Sequence, residues 1–175
     1  SAGLIAVPLF PPPSRNPRHL DRVRNVVVDA EPALILAPAD HCESLQELVE
    51  GRVEVLTVQH LGTPPASQWQ RPAIDGSTVA FLQYTSGSTG SPKGVEVRQP
   101  NLIANLELVR QAYDFDEHGA MVNWLPLYHD MGLIGGMLAP LYSGMPCYLM
   151  ASQTFVNAPS TWLQALSRYR ATASF

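Results

Sequence analysis

The chain has 175 residues, 46% of them hydrophobic and 15% charged, with a formal net charge of −4. That is enough apolar content for one sizeable core, and it excludes disordered and collagen-like classes. Acidic and basic residues are interspersed, so no basic stripe is present of the kind that would hold nucleic acid or an anionic membrane surface.

Taken in chain order, the first apolar run, Leu4 to Leu9, predicts a strand. It leads into the Pro-rich stretch PLFPPPSRNP, which fits either an ordered loop or a polyproline ligand; the core-like runs on either side favour the loop. Asn16 and Pro17 form a cap and first helical position for an amphipathic helix carrying Leu20, Val23, Val26 and Val27 on one side. Ala33 to Ala37 reads as a strand, Asp40 to Glu50 as a helix ending at Gly51, and Val53 to Val58 as another strand. A second Pro-containing connection, Gly62 to Gly76, precedes the apolar run Thr78 to Thr85, which reads as a buried strand. After it come a short strand at Val95 to Val97, a helix entered through Gln99 and Pro100, and a strand at Met121 to Leu125. A helix over Asp130 to Tyr142, a strand at Pro146 to Met150 and a helix over Pro159 to Arg170 follow, and ATASF reads as the start of one more buried strand.

This alternation predicts an α/β fold with substantial parallel pairing, in one domain over residues 1–175. The longest apolar stretch, Met131 to Tyr142, is broken by Gly135, Gly136 and Pro140 and is too short to cross a bilayer. Cys42 and Cys147 have no metal-type spacing and read as reduced, unpaired thiols of a cytoplasmic protein, Cys147 as a buried structural one. The opening SAGLIAV has no starting Met and the chain closes on a nascent strand, so both ends look truncated.

The richest stretch is YTSGSTGSPKG, Tyr84 to Gly94, which combines glycines, Ser and Thr hydroxyls and Lys93 directly after a strand. Such a stretch is either a flexible connector or a loop that holds phosphate, with glycines admitting close backbone approach, hydroxyls donating, and a lysine supplying positive charge. Pro92 stiffens it and apolar runs flank it, which favours the anion loop. It is not a P-loop, because Lys93 is followed by Gly94 and a strand and not by Ser/Thr opening a helix. A histidine placed like His129, between a strand and a helix with Asp130 as N-cap, is by itself more often structural than catalytic. The remaining histidines, His19, His41, His60 and His118, share no spacing and read as surface residues. Met131, Leu133, Ile134, Met137 and Leu138 beside Gly135 and Gly136 form a pliant apolar face, ordinary core or the wall of an acyl pocket.

This loop, together with NLIAN at Asn101 to Asn105, NWLPLYHDMGLIGG at Asn123 to Gly136 and supporting matches from GLIAVPLFPPP to the final FVNAPSTWLQALSRYRATASF, resembles the acyl-adenylate-forming superfamily, and within it the fatty acyl-AMP ligases. The resemblance implies a layered sheet-and-helix subdomain of the large N-terminal domain of an adenylate-forming enzyme. It implies a ligase that uses ATP and Mg2+ to convert a fatty acid to acyl-AMP, then passes the acyl group to the phosphopantetheine arm of an acyl carrier protein, as in lipid or polyketide assembly. On that likeness Thr85, Ser86, Ser88, Thr89 and Lys93 grip the β- and γ-phosphates, Gly87 and Gly90 permit backbone approach, and Thr85 contacts Mg2+. Ser91 serves either the phosphates or the turn itself. His129, with Lys93, is assigned to catalysis, beside the carboxylate and α-phosphate, and Gly132, Gly136 and Met137 to a fatty-chain tunnel. Two other readings stand beside this one: a fragment of a fatty acyl-CoA ligase, and a catalytically incomplete nucleotide-phosphate-binding subdomain. Where many relatives carry Ser-His before the Asn-Leu of the next helix, this chain has Arg98, Gln99 and Pro100. The family's downstream acidic Mg2+ ligand, ribose-binding aspartate and mobile-domain lysine have no counterpart in these residues, so the isolated chain is expected to be inactive.

Overall fold

A computed structural model of the chain describes residues 3–10, 17–62, 67, 69–85 and 92–175. It divides into two compact units, Ser1–Val97 and Arg98–Phe175. In the first unit, α1 (Pro17–Ala30) packs Val23 and Val26 inward with Leu20 and Val27 half-buried beside them, as the apolar spacing predicts. Each such fully buried valine contributes about 2 kcal/mol of transfer free energy. Strands β1 (Leu34–Ala37) and β2 (Glu54–Thr57) pair in parallel with Leu34 opposite Glu54, and α2 (Ala39–Leu48) lays Leu45 and Leu48 on the same core. The sulfur of Cys42 lies 3.4 Å from the Pro38 carbonyl.

Strands β3 (Val79–Thr85) and β4 (Lys93–Arg98) form a separate two-stranded sheet. Their seven-residue connection is too short for a parallel crossover. The expected strand at Leu4 to Leu9 does not form: a single parallel bridge joins Ala6 to Phe81, with the Leu82 N–H donating to the Ala6 carbonyl at 2.9 Å. Pro8 has no N–H to extend the ladder, and Leu4 and Ile5 are exposed, so no burial rewards longer pairing. His19 departs from the surface reading: it is half-buried, edge-on to Phe10 at 5.5 Å. His41 is half-buried as well, His118 is exposed, and the His60 side chain lies outside the described residues. So do Asn16, the Pro11–Pro13 run and Pro64–Pro65 of the second Pro-containing connection.

The second unit opens with α3 (Gln99–Ala112), entered through Pro100, with the Arg98 N–H donating to Asn101 Oδ1 at 3.1 Å. Three parallel strands follow in the order β6-β5-β7, with β5 (Met121–Asn123) central between β6 (Cys147–Leu149) and β7 (Ala173–Ser174). Leu106, Phe115, Met121, Ala139 and Met145 form its core. The segment expected as one α-helix from Asp130 is instead π-helical over Met131–Leu138, and only α4 (Ala139–Tyr142) is α-helical. Its wider turns bring the α-carbons of Gly132 and Gly136 against neighbouring elements, a contact that spacing in the sequence does not reveal. A short helix that sequence reading missed, α5 (Ser152–Asn157), is fixed by Phe155 stacking on Trp124 at 3.9 Å and by the Ser152 hydroxyl donating to the Trp124 carbonyl at 2.8 Å. α6 (Ser160–Tyr169) matches its prediction, and Trp162 Nε1 donates to the Ser174 hydroxyl at 2.7 Å. No helix among the described residues is long and apolar enough to cross a membrane.

Candidate functional site

Strand alternation at the end of β3 sends Tyr84 into the first unit and Thr85 out to solvent. The Tyr84 hydroxyl donates to the Asp29 carboxylate of α1 at 2.5 Å. Burial, then the hydrogen bond and charge of Asp29, push the phenol up to about 12, so it remains a neutral donor across the physiological range. Gly94 of β4 lies close to the hydroxyl end of the same ring: a Cβ there would come within 2.9 Å of Tyr84 Cζ and 3.0 Å of its oxygen. A side chain at position 94 would therefore push β4 away from Tyr84.

The result is that Thr85, last in β3, and Lys93, first in β4, stand exposed at neighbouring ends of one strand pair. Lys93 is the only lysine in the chain. Its ammonium can donate to phosphate oxygens, and the Thr85 hydroxyl can donate or act as an oxygen ligand. Ser86, Gly87, Ser88, Thr89, Gly90 and Ser91 lie outside the described residues. Among the described residues no group of three or more His, Cys, Asp or Glu could hold a metal ion. Among the described residues the neutral oxygen donor at this strand end is the Thr85 hydroxyl, which suits Mg2+ because that ion keeps most of its ligands as water and phosphate oxygen.

In the second unit, His129 ends the turn that leads from β5 into the π-helical segment. Its N–H donates to the Pro126 carbonyl at 3.1 Å, and its carbonyl accepts from the Leu133 N–H at 2.9 Å. The ring is 62% exposed, with Nδ1 2.8 Å from Asp130 Oδ1 and 3.3 Å from the Met131 nitrogen. Neutral with its proton on Nε2, the ring accepts the Met131 N–H; protonated at Nδ1, it donates to Asp130. In both states Nε2–H points away from these partners, on the side where it can donate to an incoming anion. Asp130 is the N-cap that the sequence predicts, its carboxylate accepting from the Met131 N–H at 2.7 Å.

Gly132 and Gly136 are both buried, and what surrounds their α-carbons is protein. A Cβ at 132 would sit 2.3 Å from the Pro126 carbonyl oxygen, and one at 136 would sit 2.3 Å from Asn123 Nδ2. Met137 is half-buried. Two open clefts in this unit, of about 560 and about 670 Å3, are lined by Phe115, Met145 and Phe175 among others and by Tyr148, Arg168 and Tyr169 among others, and neither includes His129, Gly132, Gly136 or Met137. The Cys147 thiol donates to the Gly136 carbonyl at 3.0 Å, and burial raises its pKa, so it is an inert structural thiol.

Sequence reasoning did not single out Asp29, Tyr84 or Asn123. Tyr84 and Asp29 are 55 residues apart, so nothing local announces their contact. Asn123 carried one signal: it is a polar residue in the middle of the apolar run Met121 to Leu125, and the structure leaves it 1% exposed.

The AMP-binding enzyme family model matches residues 1–175 of the chain. The medium-chain-fatty-acid–[acyl-carrier-protein] ligase JamA of Moorena producens is 38% identical over 99% of this chain and 30% of its own length. The putative fatty-acid–CoA ligase FadD21 of Mycobacterium tuberculosis is 34% identical over 95% of this chain, again 30% of its own length. The crystal structure of fatty acyl-adenylate ligase from L. pneumophila in complex with acyl adenylate and pyrophosphate superposes with a TM-score of 0.87 at 36% identity, covering 99% of this chain and 30% of that one. The chain thus spans 30% of the length of each of these three proteins.

Proposed function

The chain belongs to the AMP-binding enzyme family, and on that premise we propose that it supplies the phosphate-gripping strand pair and the acyl-side histidine of a cytoplasmic fatty acyl-AMP ligase, as one partial domain of a longer enzyme. In that reaction a carboxylate oxygen of the fatty acid attacks the α-phosphorus of ATP, the bond to the bridging oxygen breaks, and pyrophosphate leaves with the released charge. The thiol of a carrier protein's phosphopantetheine arm then attacks the acyl carbonyl of acyl-AMP, forming a thioester and releasing AMP.

The observation that carries this reading is that Thr85, last in β3, and Lys93, first in β4, are exposed on two neighbouring strands, where Gly94 lies close to a Tyr84 that is itself bonded to Asp29. Lys93 donates to β- and γ-phosphate oxygens and draws off charge as pyrophosphate departs. Ser86, Gly87, Ser88, Thr89 and Gly90 complete the grip. Thr85 would hold Mg2+ through its hydroxyl, and the bound ion would neutralise phosphate charge and lower the repulsion facing the carboxylate. His129 donates from Nε2 to the carboxylate or α-phosphate oxygens; it does not act as a general base, because a fatty carboxylate is already ionised near pH 7. Met137 faces the acyl chain, and the glycines at 132 and 136 let its helix pack close enough to do so.

Coenzyme A as the acceptor is the second reading, favoured by the relationship to a putative fatty-acid–CoA ligase. The test is mass-spectrometric detection of acyl-AMP with Mg-ATP and a panel of fatty acids, run on the whole protein and on these 175 residues, followed by addition of either carrier protein or coenzyme A. Acyl-AMP from the whole protein and thioester only on the carrier supports the leading reading. Thioester on coenzyme A selects the second, and no acyl-AMP with any fatty acid rules out both.

A further inference from the structure

We infer that Asn123 is a positioning residue for His129, acting through the turn that joins them. This rests on the role proposed for His129. Asn123 is the last residue of β5 and is 1% exposed. Its Nδ2 donates to the Gly132 carbonyl at 3.1 Å and its Oδ1 accepts the Leu125 N–H at 2.9 Å. One planar amide therefore ties together the two ends of the segment that carries His129. The strand end itself is anchored, since the Asn123 carbonyl accepts from the Met150 N–H at 2.8 Å.

The amide has little freedom to move. The α-carbon of Gly136 closes one side of it, leaving no room for a Cβ, and Gly132 is pressed against the Pro126 carbonyl inside the same turn. His129 is then bonded in both directions along the backbone, to Pro126 before it and Leu133 after it. An exposed imidazole on a turn would otherwise sample several positions; here its backbone is fixed from within by a buried side chain that never touches solvent. The Asn123 amide supplies a donor nitrogen to one partner and an acceptor oxygen to the other from a single planar group. Aspartate keeps the acceptor but sets a second acceptor, and a buried charge, against the Gly132 carbonyl. Serine is neutral and too short to reach both partners.

The experiment is a double-mutant cycle in the whole protein with Asn123→Ser, Asn123→Asp and His129→Ala, reading single-turnover acyl-AMP formation, KM for ATP and thermal midpoint. Asn123→Ser is the variant chosen to fold if the buried charge of Asn123→Asp prevents folding. The expected result is a rate lowered roughly 10- to 100-fold by either Asn123 variant with KM for ATP changed less than about twofold, since a misplaced group loses rate before ground-state binding. In the His129→Ala background the same change costs nothing further. An Asn123→Ser protein that melts normally and reacts at the wild-type rate overturns the inference, as does an equal loss with and without His129. If His129→Ala alone reacts normally, the proposed role of His129 is overturned and the positioning role goes with it, whereas a slow His129→Ala with additive Asn123→Ser removes only the latter.

Discussion

Strands β3 and β5 both end in polar segments, but they secure them by different means. At the end of β3, Tyr84 reaches across to the Asp29 carboxylate and Gly94 rests on the far edge of its ring, so the contacts are made by side-chain tips that can shift by a few tenths of an ångström. At the end of β5, the buried Asn123 amide bonds to backbone at Leu125 and Gly132, and the Gly132 α-carbon abuts the Pro126 carbonyl, so the close approach there is backbone against backbone. A side-chain tip yields to a new atom and a carbonyl in a closed turn does not. The first region can adjust around a new atom, and the second holds its turn still.

The sharpest way to break this comparison is Gly132→Ala. A Cβ placed 2.3 Å from a backbone oxygen cannot be relieved by a rotamer change, and the expected cost is about 3 kcal/mol or more in denaturant unfolding. A loss under about 1 kcal/mol would show that the turn yields after all. Lys93→Ala is next: loss of a charge-assisted contact should weaken Mg-ATP binding in the whole protein roughly 10- to 100-fold while leaving the thermal midpoint unchanged. Unchanged ATP affinity and turnover would remove Lys93 from the site.

Gly94→Ala tests the tolerant side. Its Cβ meets only the outer atoms of the Tyr84 ring, so the expected cost is about 1–2 kcal/mol, well below that of Gly132→Ala, and an equal cost would erase the distinction between the regions. The smallest effect concerns pH. Hydrogen bonds from Arg110 first, then Gln111 and Tyr142, hold the Glu107 carboxyl down at about 2 against an ordinary 4.5. A depressed carboxylate pKa adds stability above the unfolded value and loses it as pH falls through the folded one. The second unit should therefore weaken between pH 4.5 and about 2, slightly, because the pair is partly exposed and screened by solvent. In Glu107→Gln, thermal melts across that range should show a shallower decline.

Much of the scaffold was legible because it follows from local periodicity. The spacing of Leu20, Val23, Val26 and Val27 defines the buried side of α1, and the strand-helix alternation implies the parallel pairs β1-β2 and β6-β5-β7. The reading failed where burial or long-range contact decides. Leu4 to Leu9 has strand composition but pairs among the described residues only through the Ala6–Phe81 bridge, and Ser152–Asn157 lacks a helix signature yet is pinned by Phe155 stacking on Trp124. Of the candidate site, Thr85, Lys93 and His129 could be named from motif chemistry. Asp29, Tyr84 and Asn123 could not, because their value lies in partners that the chain brings to them from elsewhere or around a turn.

The sequence by itself determined the chemistry: a hydroxyl and a lone lysine bracketing a Gly/Ser/Thr run, a histidine capped by an aspartate, and enough patterned apolar surface for an α/β fold. These are properties of residue types and of spacing along the chain. The tertiary structure alone decided what holds those groups, the Asp29–Tyr84 bond with Gly94 packed on the ring, and the Asn123 amide closing its turn beneath a π-helical segment. A hydrogen bond or a close backbone approach depends on distances in space, to within a few tenths of an ångström, and linear order does not encode them until the core has formed.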